Sequence, residues 1–508
     1  MIILNSIVPT WIGGIQLSTV VLKSYLMSKG IGQPIIINRF ITEDGVDRIS
    51  KKNEYRDEFP IVCFSVHSWN IDIVLESCRR IKQKTDCYII AGGPAVTFDT
   101  LGFFNRGEDI DLIIKGEGET IFFDVIQALE KEIYDFKGIP DLVYRKNGKI
   151  IETPHDPKLL NLETHDYSIL YKEFKDVRII YYETSRGCVF KCKYCSWNTK
   201  GKRIIRNYPL EKVLNDIEHI FSLPKLELFL LTDSNIVLNK KRGLSILSKI
   251  NELNQKRRQD RLKPVKINIE SNPESLGDED LLFQIKRLNV EHYSFGLQSI
   301  SKSVLQEADR RFDREKYIRG INQLKEKKGT PILIEIIFGL PCDSYERFRR
   351  TLEFVISDLN ADLFVCYRFS LLPGSRFWEA KEKYGITHQP QQPYTIIRSD
   401  TFSESELDKV EAYTYYLQII YRVFRSLKKT VDKNFSHNKL AVYDEIIECF
   451  AEKYGDFLKP KLVYHDGFVK DLEKIRSAEN TDVRHRMQSD ARRIIKKVLS
   501  IKTKEKSV

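Results

Sequence analysis

The chain has 508 residues, 42% of them hydrophobic, which allows a large core and, at the usual ~100–200 residues each, about three domains. Its formal charge of +11 is modest for this length, and no apolar run approaches the ~18 residues that span a bilayer. The opening Met-Ile-Ile-Leu-Asn-Ser-Ile-Val has neither the basic lead nor the cleavage site of a signal peptide, and no nucleic-acid-binding motif accompanies basic runs such as Lys256-Arg257-Arg258, so a cytoplasmic protein without a membrane span or a nucleic-acid partner is expected.

Residues 1–135 alternate short apolar runs (2–8, 34–38, 61–66, 87–91, 111–115) with amphipathic stretches (16–29, 71–84, 120–132). Strand and helix in alternation predict a parallel, doubly wound sheet, whose ligands sit at the carboxyl ends of its strands beside a topological switch. Glycine turns fall at those ends: Ala91-Gly92-Gly93-Pro94, and Lys115-Gly116-Glu117-Gly118-Glu119. Such turns let backbone approach a bulky ligand, and they also simply join strands to helices. After the first strand comes Pro9-Thr10-Trp11-Ile12-Gly13-Gly14, and after the third His67, which reads as a pocket-wall or packing residue. Residues 136–176 form a linker with a hairpin around Asn147-Gly148, a favoured tight turn.

From residue 177 alternation resumes with strands at 177–183, 226–232, 265–270, 291–296, 331–338 and 363–370, and helices at 210–222, 240–257, 278–287, 302–327 and 345–357. Six strand-helix units predict a partial barrel, with the site at the carboxyl ends of its strands. The first such end carries Thr-Ser-Arg-Gly-Cys188-Val-Phe-Lys-Cys192-Lys-Tyr194-Cys195. Three thiolates spaced in this way can hold three corners of one iron-sulfur cube, where an electron-transfer cluster normally has four. Zinc is the competing reading, but no histidine lies between His165 and His219 and no second Cys-x-x-Cys follows. The other six cysteines are scattered in apolar segments, as buried thiols of a reducing compartment are. The later strand ends carry Asp233-Ser234-Asn235, Glu270-Ser271-Asn272, Gly296-Leu297-Gln298-Ser299 and Phe338-Gly339-Leu340-Pro341. Polar residues also terminate strands for no functional reason, so the series in register carries more weight than any one position.

Past residue 384 the strand signal fades. Ser403 and Glu406 form a capping box, with Phe402 able to staple to Leu407, and predict a helix to residue 427. Further helices follow, and no motif gives this region a role.

The cysteine run, with an aromatic residue before its last cysteine, resembles the signature of the radical S-adenosylmethionine (SAM) superfamily. With the glycine turns upstream, residues 1–400 resemble its cobalamin-dependent members. The resemblance implies an α/β chain in four parts: a cobalamin-binding Rossmann-like domain (1–135), a linker (136–176), a partial (β/α)6 barrel (177–384) and a helical C-terminal region (385–508). It further implies a [4Fe-4S] cluster on Cys188, Cys192 and Cys195, with SAM chelated at the open iron and cleaved to a 5′-deoxyadenosyl radical.

On that resemblance Tyr194 lies near the adenine, Asp233 or Asn235 near the methionine amino group, and Glu270 and Gln298 toward the ribose, while Gly339 lets the adenine lie on backbone. Gly92, Gly93, Gly116, Glu117 and Gly118 surround the cobalamin nucleotide tail. Trp11, in the motif that ends at Gly14, replaces a cobalt-ligating histidine, an absence that fits weakly ligated cobalt and equally a domain that has lost cobalamin. The implied reaction is C-methylation at an unactivated carbon, with electrons from a reductant such as flavodoxin or ferredoxin. Radical oxidation, cyclisation or rearrangement without methyl transfer, or a non-catalytic cluster-bearing sensor, are the alternatives. The substrate, a small metabolite, lipid or peptide, and the catalytic residues are not legible.

Overall fold

The computed structural model describes residues 1–505 except 10–13, 53–54, 56–58, 157–159, 163–171, 198–203, 327–328, 437, 456–471, 473–474 and 478–479, with backbone alone at 43 and 501–505. The N-terminal domain is built on β1 (Ile2–Val8), β2 (Ile35–Ile41), β3 (Ile61–Ser65), β4 (Tyr88–Gly92) and β5 (Leu112–Ile114), all parallel, in the order β2-β1-β3-β4-β5. Every residue of β1 and β3 is buried, as a sheet covered by helices on both faces requires. The strand order reverses between β1 and β3, and the open crevice of such a sheet lies there. The hairpin expected in the linker belongs to this sheet: β6 (Leu142–Lys146) pairs antiparallel with β5, and β7 (Lys149–Glu152) with β6. Asn147 and Gly148 both have positive φ, the requirement of the tight turn read from the sequence.

The second domain supplies six further parallel strands in two sheets of three. β8 (Ile179–Tyr182), β11 (Leu228–Leu231) and β12 (Lys266–Asn268) form one in the order β12-β11-β8; β13 (Tyr293–Gln298), β14 (Ile332–Phe338) and β15 (Leu363–Arg368) form the other. A backbone bond from Ile267 N–H to the Asn289 carbonyl ties β12 to the segment before β13 (2.9 Å). Alternate residues of these strands are buried against helices, and their neighbours face a partly open interior: Tyr293, Phe295 and Leu297 point out, Ser294, Gly296 and Gln298 inward. A short antiparallel pair, β9 (Ser185–Arg186) and β10 (Arg206–Asn207), stands beyond β8.

The helix expected over 302–327 is two, Lys302–Glu307 and Arg314–Lys325, broken by Asp309 in a left-handed conformation and restarted at Asp313, whose carboxylate accepts the Lys316 N–H (3.1 Å). The C-terminal helix Glu404–Val423 begins as its capping box dictates, with Ser403 Oγ accepting the Glu406 N–H and Glu406 accepting the Ser403 N–H. It ends at Phe424, after which a new helix, Arg425–Asn434, starts. One continuous apolar core joins the outer faces of the barrel strands, the C-terminal helices and Val20 and Val21 of the helix Leu17–Ser28; two smaller cores flank the N-terminal sheet.

Candidate functional site

The cysteine loop is fixed at both ends by its own sequence. Gly187 has φ +103°, and an added Cβ would stand 2.1 Å from the Ile204 carbonyl oxygen, so no other residue fits between β9 and Cys188. Asp233, beyond β11, is buried and accepts the Thr184 N–H (3.0 Å) and hydroxyl (2.6 Å) together with the Ser185 hydroxyl. Burial raises its pKa, and those hydrogen bonds oppose the rise. Ser234 donates to the Gly187 carbonyl (2.8 Å), and Asn235 accepts the Val237 N–H (3.1 Å). The Asp233 carboxylate and the Asn235 amide oxygen, expected near the SAM amino group, are therefore engaged by backbone and hydroxyl groups around the cysteine loop. Farther along, Lys193 N–H donates to the Ala308 carbonyl (2.9 Å), Phe377 N–H to the Lys193 carbonyl (3.0 Å), and the Arg376 guanidinium to the Lys191 carbonyl.

Cys188, Cys192 and Cys195 are free and partly exposed. Burial pushes the Cys195 thiol up, and nearby Cys192 and Cys188 push it further. Among the described residues no three His, Cys, Asp or Glu side chains close on a single ion. Three thiols on one loop suit three corners of a cube better than the closed tetrahedral set of structural zinc.

Beneath this loop the inward positions of the strands bring polar groups together. Glu335 pairs opposite Gly296 on the neighbouring strand, and its charge acts on Glu270 just beyond the end of β12. Glu335 accepts the Ser294 hydroxyl (3.0 Å), whereas the Glu270 carboxylate has no hydrogen-bond partner among the described residues. Glu270 is open to solvent yet walled in by protein, as a group on a cavity wall is. Its carboxyl is pushed up to about 7, by burial first and by the Glu335 charge second. Gln298 sits at a register shift in β13 with φ +70°, and its Oε1 is buried with no partner. Among the described residues, the Gln298 amide oxygen and the Glu270 carboxylate are thus acceptors left available to a ligand. Gly339 is buried, and an added Cβ would meet Ile396 and Leu407, so packing and its φ of +83° account for that glycine.

The cation of the site is Arg310, which the sequence reading hid inside a continuous helix. In the break between the two helices its guanidinium donates to the Tyr194 hydroxyl (2.9 Å) and to the Gly296 carbonyl, and lies 3.8 Å from Cys192 Sγ. Burial works against its charge, but Tyr194 and Cys192 outweigh that and keep it protonated. One signal could have found it, Asp313 four residues before Tyr317 as a helix start; Glu335, also missed, occupies an inward position on a strand already identified.

On the N-terminal domain, polar side chains gather where the strand order reverses. Gln16 N–H donates to Ser6 Oγ (2.8 Å), Ser18 and Ser65 hydroxyls pair (2.7 Å), and His67 stacks on Trp69 with centroids 4.4 Å apart. Burial lowers the His67 pKa to about 4, so the ring is neutral. Trp11 lies outside the described residues. Gly92 ends β4, and Gly93 (φ +110°) lets the Val66 carbonyl come within 2.7 Å of where a Cβ would be. Gly116 has open space beside it, and Gly118 touches Ile114 and Leu22. Glu117 does not stand free for a nucleotide tail: it is ion-paired to Arg206 (3.0 Å) of the barrel domain.

The two domains meet through the carboxyl ends of the N-terminal strands. Gly14, after β1, packs its α-carbon on the Ile179 carbonyl; Phe98, after β4, packs on Gly374; and Asp99 accepts the Tyr394 hydroxyl (2.8 Å). The carboxyl ends of β1 and β4 therefore pack against the second domain.

The radical SAM superfamily pattern matches residues 182–355. An uncharacterised methyltransferase, PH0819, of Pyrococcus horikoshii is 26% identical over 60% of this chain and 65% of its own length. An anaerobic magnesium-protoporphyrin IX monomethyl ester cyclase of Rubrivivax gelatinosus is 23% identical over 67% of this chain and 62% of its own. The chain thus spans slightly under two thirds of both relatives. The structure of OxsB, a cobalamin-dependent SAM radical enzyme with aqua-cobalamin and SAM bound, superposes with a TM-score of 0.64 at 16% identity, covering 99% of this chain and 80% of that one. The radical SAM superfamily pattern thus covers the cysteine loop and most of the strands that follow it, and the chain as a whole has the fold of the cobalamin-dependent SAM radical enzyme OxsB.

Proposed function

We propose that the chain is a cobalamin-dependent radical SAM C-methyltransferase acting on an unactivated carbon. The observation that carries this reading is the contact between the two domains: the loops ending β1 and β4 of a carrier-type sheet pack on the barrel domain that bears three thiols, a buried arginine and two inward carboxylates. When bound, the cluster, SAM and cobalamin would supply radical generation and methyl transfer, chemistry no side chain has.

This chain's residues would hold and orient those groups. Cys188, Cys192 and Cys195 would ligate three irons. Arg310 would present its guanidinium to the carboxylate of the SAM methionine, for which its planar fork is suited. Glu270 and Glu335 would offer negative charge to the ammonium and acceptors to the ribose hydroxyls, and Gln298 Oε1 would accept from the same diol. SAM is a zwitterion with an added sulfonium, and the site carries groups of both charges. The apolar inward residues of β11, Leu228 and Leu230, exclude water from the interior. At the carrier edge Ser65, Ser18 and Gly116 would meet the polar tail of cobalamin, with Trp69 and neutral His67 as a wall.

The test is anaerobic mass spectrometry of SAM products from cluster-reconstituted protein under reductant, with and without cobalamin, beside Cys192→Ala. Deoxyadenosine and S-adenosylhomocysteine should both form in a cobalamin-dependent way and both vanish in the variant. Deoxyadenosine alone would sink methylation in favour of the non-methylating chemistry that similarity to a cyclase supports. Neither product from a loaded cluster, over a panel of candidate substrates, would point to the sensor reading.

A further inference from the structure

The turn Gly116-Glu117-Gly118-Glu119 reaches across the domain boundary to the base of the cysteine loop. β9 and β10 pair antiparallel, with Arg186 directly opposite Arg206. Like charges opposite one another destabilise such a pair. Here both arginines turn to carboxylates: Arg186 lies 2.5 Å from Glu119, 2.6 Å from Glu183 and 3.8 Å from Glu117, and Arg206 donates to Glu117 (3.0 Å) and to the Leu160 carbonyl (2.8 Å). Tyr208 completes the group by donating to Glu183 (2.6 Å). Two of the three carboxylates, Glu117 and Glu119, therefore belong to the N-terminal domain. Glu119 is 4% exposed, so withdrawing it would leave the largely buried Arg186 short of charge, a costly state.

Arg186 is covalently one residue from Gly187, whose conformation is fixed by the Ile204 carbonyl. Cys188 follows. The loop therefore cannot take its position independently of the Arg186 side chain, and that side chain is held by the same four-residue turn whose Gly116 N–H, bonded to Thr97 Oγ1 (3.1 Å), borders the carrier edge.

We infer that Arg186 is a positioning residue through which the two cofactor sites are thermodynamically linked, so that a loaded cysteine loop strengthens binding at the carrier edge and the reverse. This rests on the proposed carrier role of the N-terminal domain. Groups bound at either end stabilise one arrangement of the turn and the β9–β10 pair, and linkage must then be reciprocal.

The experiment is equilibrium dialysis of hydroxocobalamin against the full chain with and without its reconstituted cluster, repeated for Glu119→Gln, Glu117→Gln and Arg186→Lys. In the native chain the cluster should tighten hydroxocobalamin about 5- to 20-fold, within the usual span of coupling between sites. Glu119→Gln should reduce the ratio toward one while both groups still bind, and Glu117→Gln, at a more exposed position, should reduce it partly. Arg186→Lys keeps the charge but not the fork and should retain part of the ratio. An unchanged hydroxocobalamin affinity on cluster loading of the native chain, or a ratio that survives Glu119→Gln in protein with a native melting profile, overturns the inference and leaves the carrier reading standing. Failure of any form to bind hydroxocobalamin overturns both.

Discussion

At the scale of single residues, the site is defined by groups that lack partners. Glu270 is the most exposed to test, because its folded pKa is raised from 4.5 to about 7. A raised carboxylate pKa favours the protonated form, so the ligand-free chain loses stability as pH rises between those values, while the ionised form above about 7 is the one that attracts a cation. The groups facing it are Glu335 and the Ser294 hydroxyl bonded to Glu335. Isothermal titration of SAM should show affinity rising from pH 6 to 8 in the native chain and a flatter profile in Glu270→Gln; an equal pH slope in both removes Glu270 from the site. Arg310→Gln should weaken SAM about 10- to 100-fold, as expected from the ~1.5–3 kcal/mol of a hydrogen bond to a charged group. Its iron content, measured on the same samples, should stay near the native value, which separates loss of SAM contact from loss of the cluster.

Elements are where local sequence either fixed the geometry or concealed it. Gly187→Ala combines a left-handed φ with an approach of 2.1 Å to the Ile204 carbonyl, so reconstituted iron per chain should fall by at least half, with a lower melting temperature. Full iron loading of that variant would show that the loop tolerates displacement. Ser403→Ala, by contrast, removes a cap far from the cysteines and should cost about 1 kcal/mol in denaturant unfolding without changing iron content. The capping box, the Asn147-Gly148 hairpin and the strand alternation were all legible because each depends on neighbours a few residues away. The break at Asp309 was not: Lys302 to Lys327 has helical periodicity on both sides of it, and distant ties give the interruption its structural purpose, among them Lys193 N–H to the Ala308 carbonyl, 115 residues away in sequence, and Arg310 to the Tyr194 hydroxyl. Arg310 was missed with it.

For the molecule as a whole, the central core runs without interruption from the barrel strands through Leu407, Leu417, Tyr443 and Phe450 of the C-terminal helices. A chain ended at residue 400 should therefore lose its cooperative thermal transition by circular dichroism, and a sharp melt in that variant would show the helices to be accessory. Sequence alone determined the cysteine triad and the alternation of strands with helices, since ligand spacing and two periodicities are properties of short windows. It also placed Glu270 and Gln298 at the ends of strands. Tertiary structure decided the rest: that Asp233 braces the cysteine loop, that Gly339 serves packing, that the 141–152 hairpin extends the first sheet, and that Glu117 and Glu119 reach the arginines of another domain. Those roles depend on which surfaces meet across stretches of sequence much longer than a helix or strand, and a charge or a glycine has the same local pattern whether it faces a ligand, a core or a second domain.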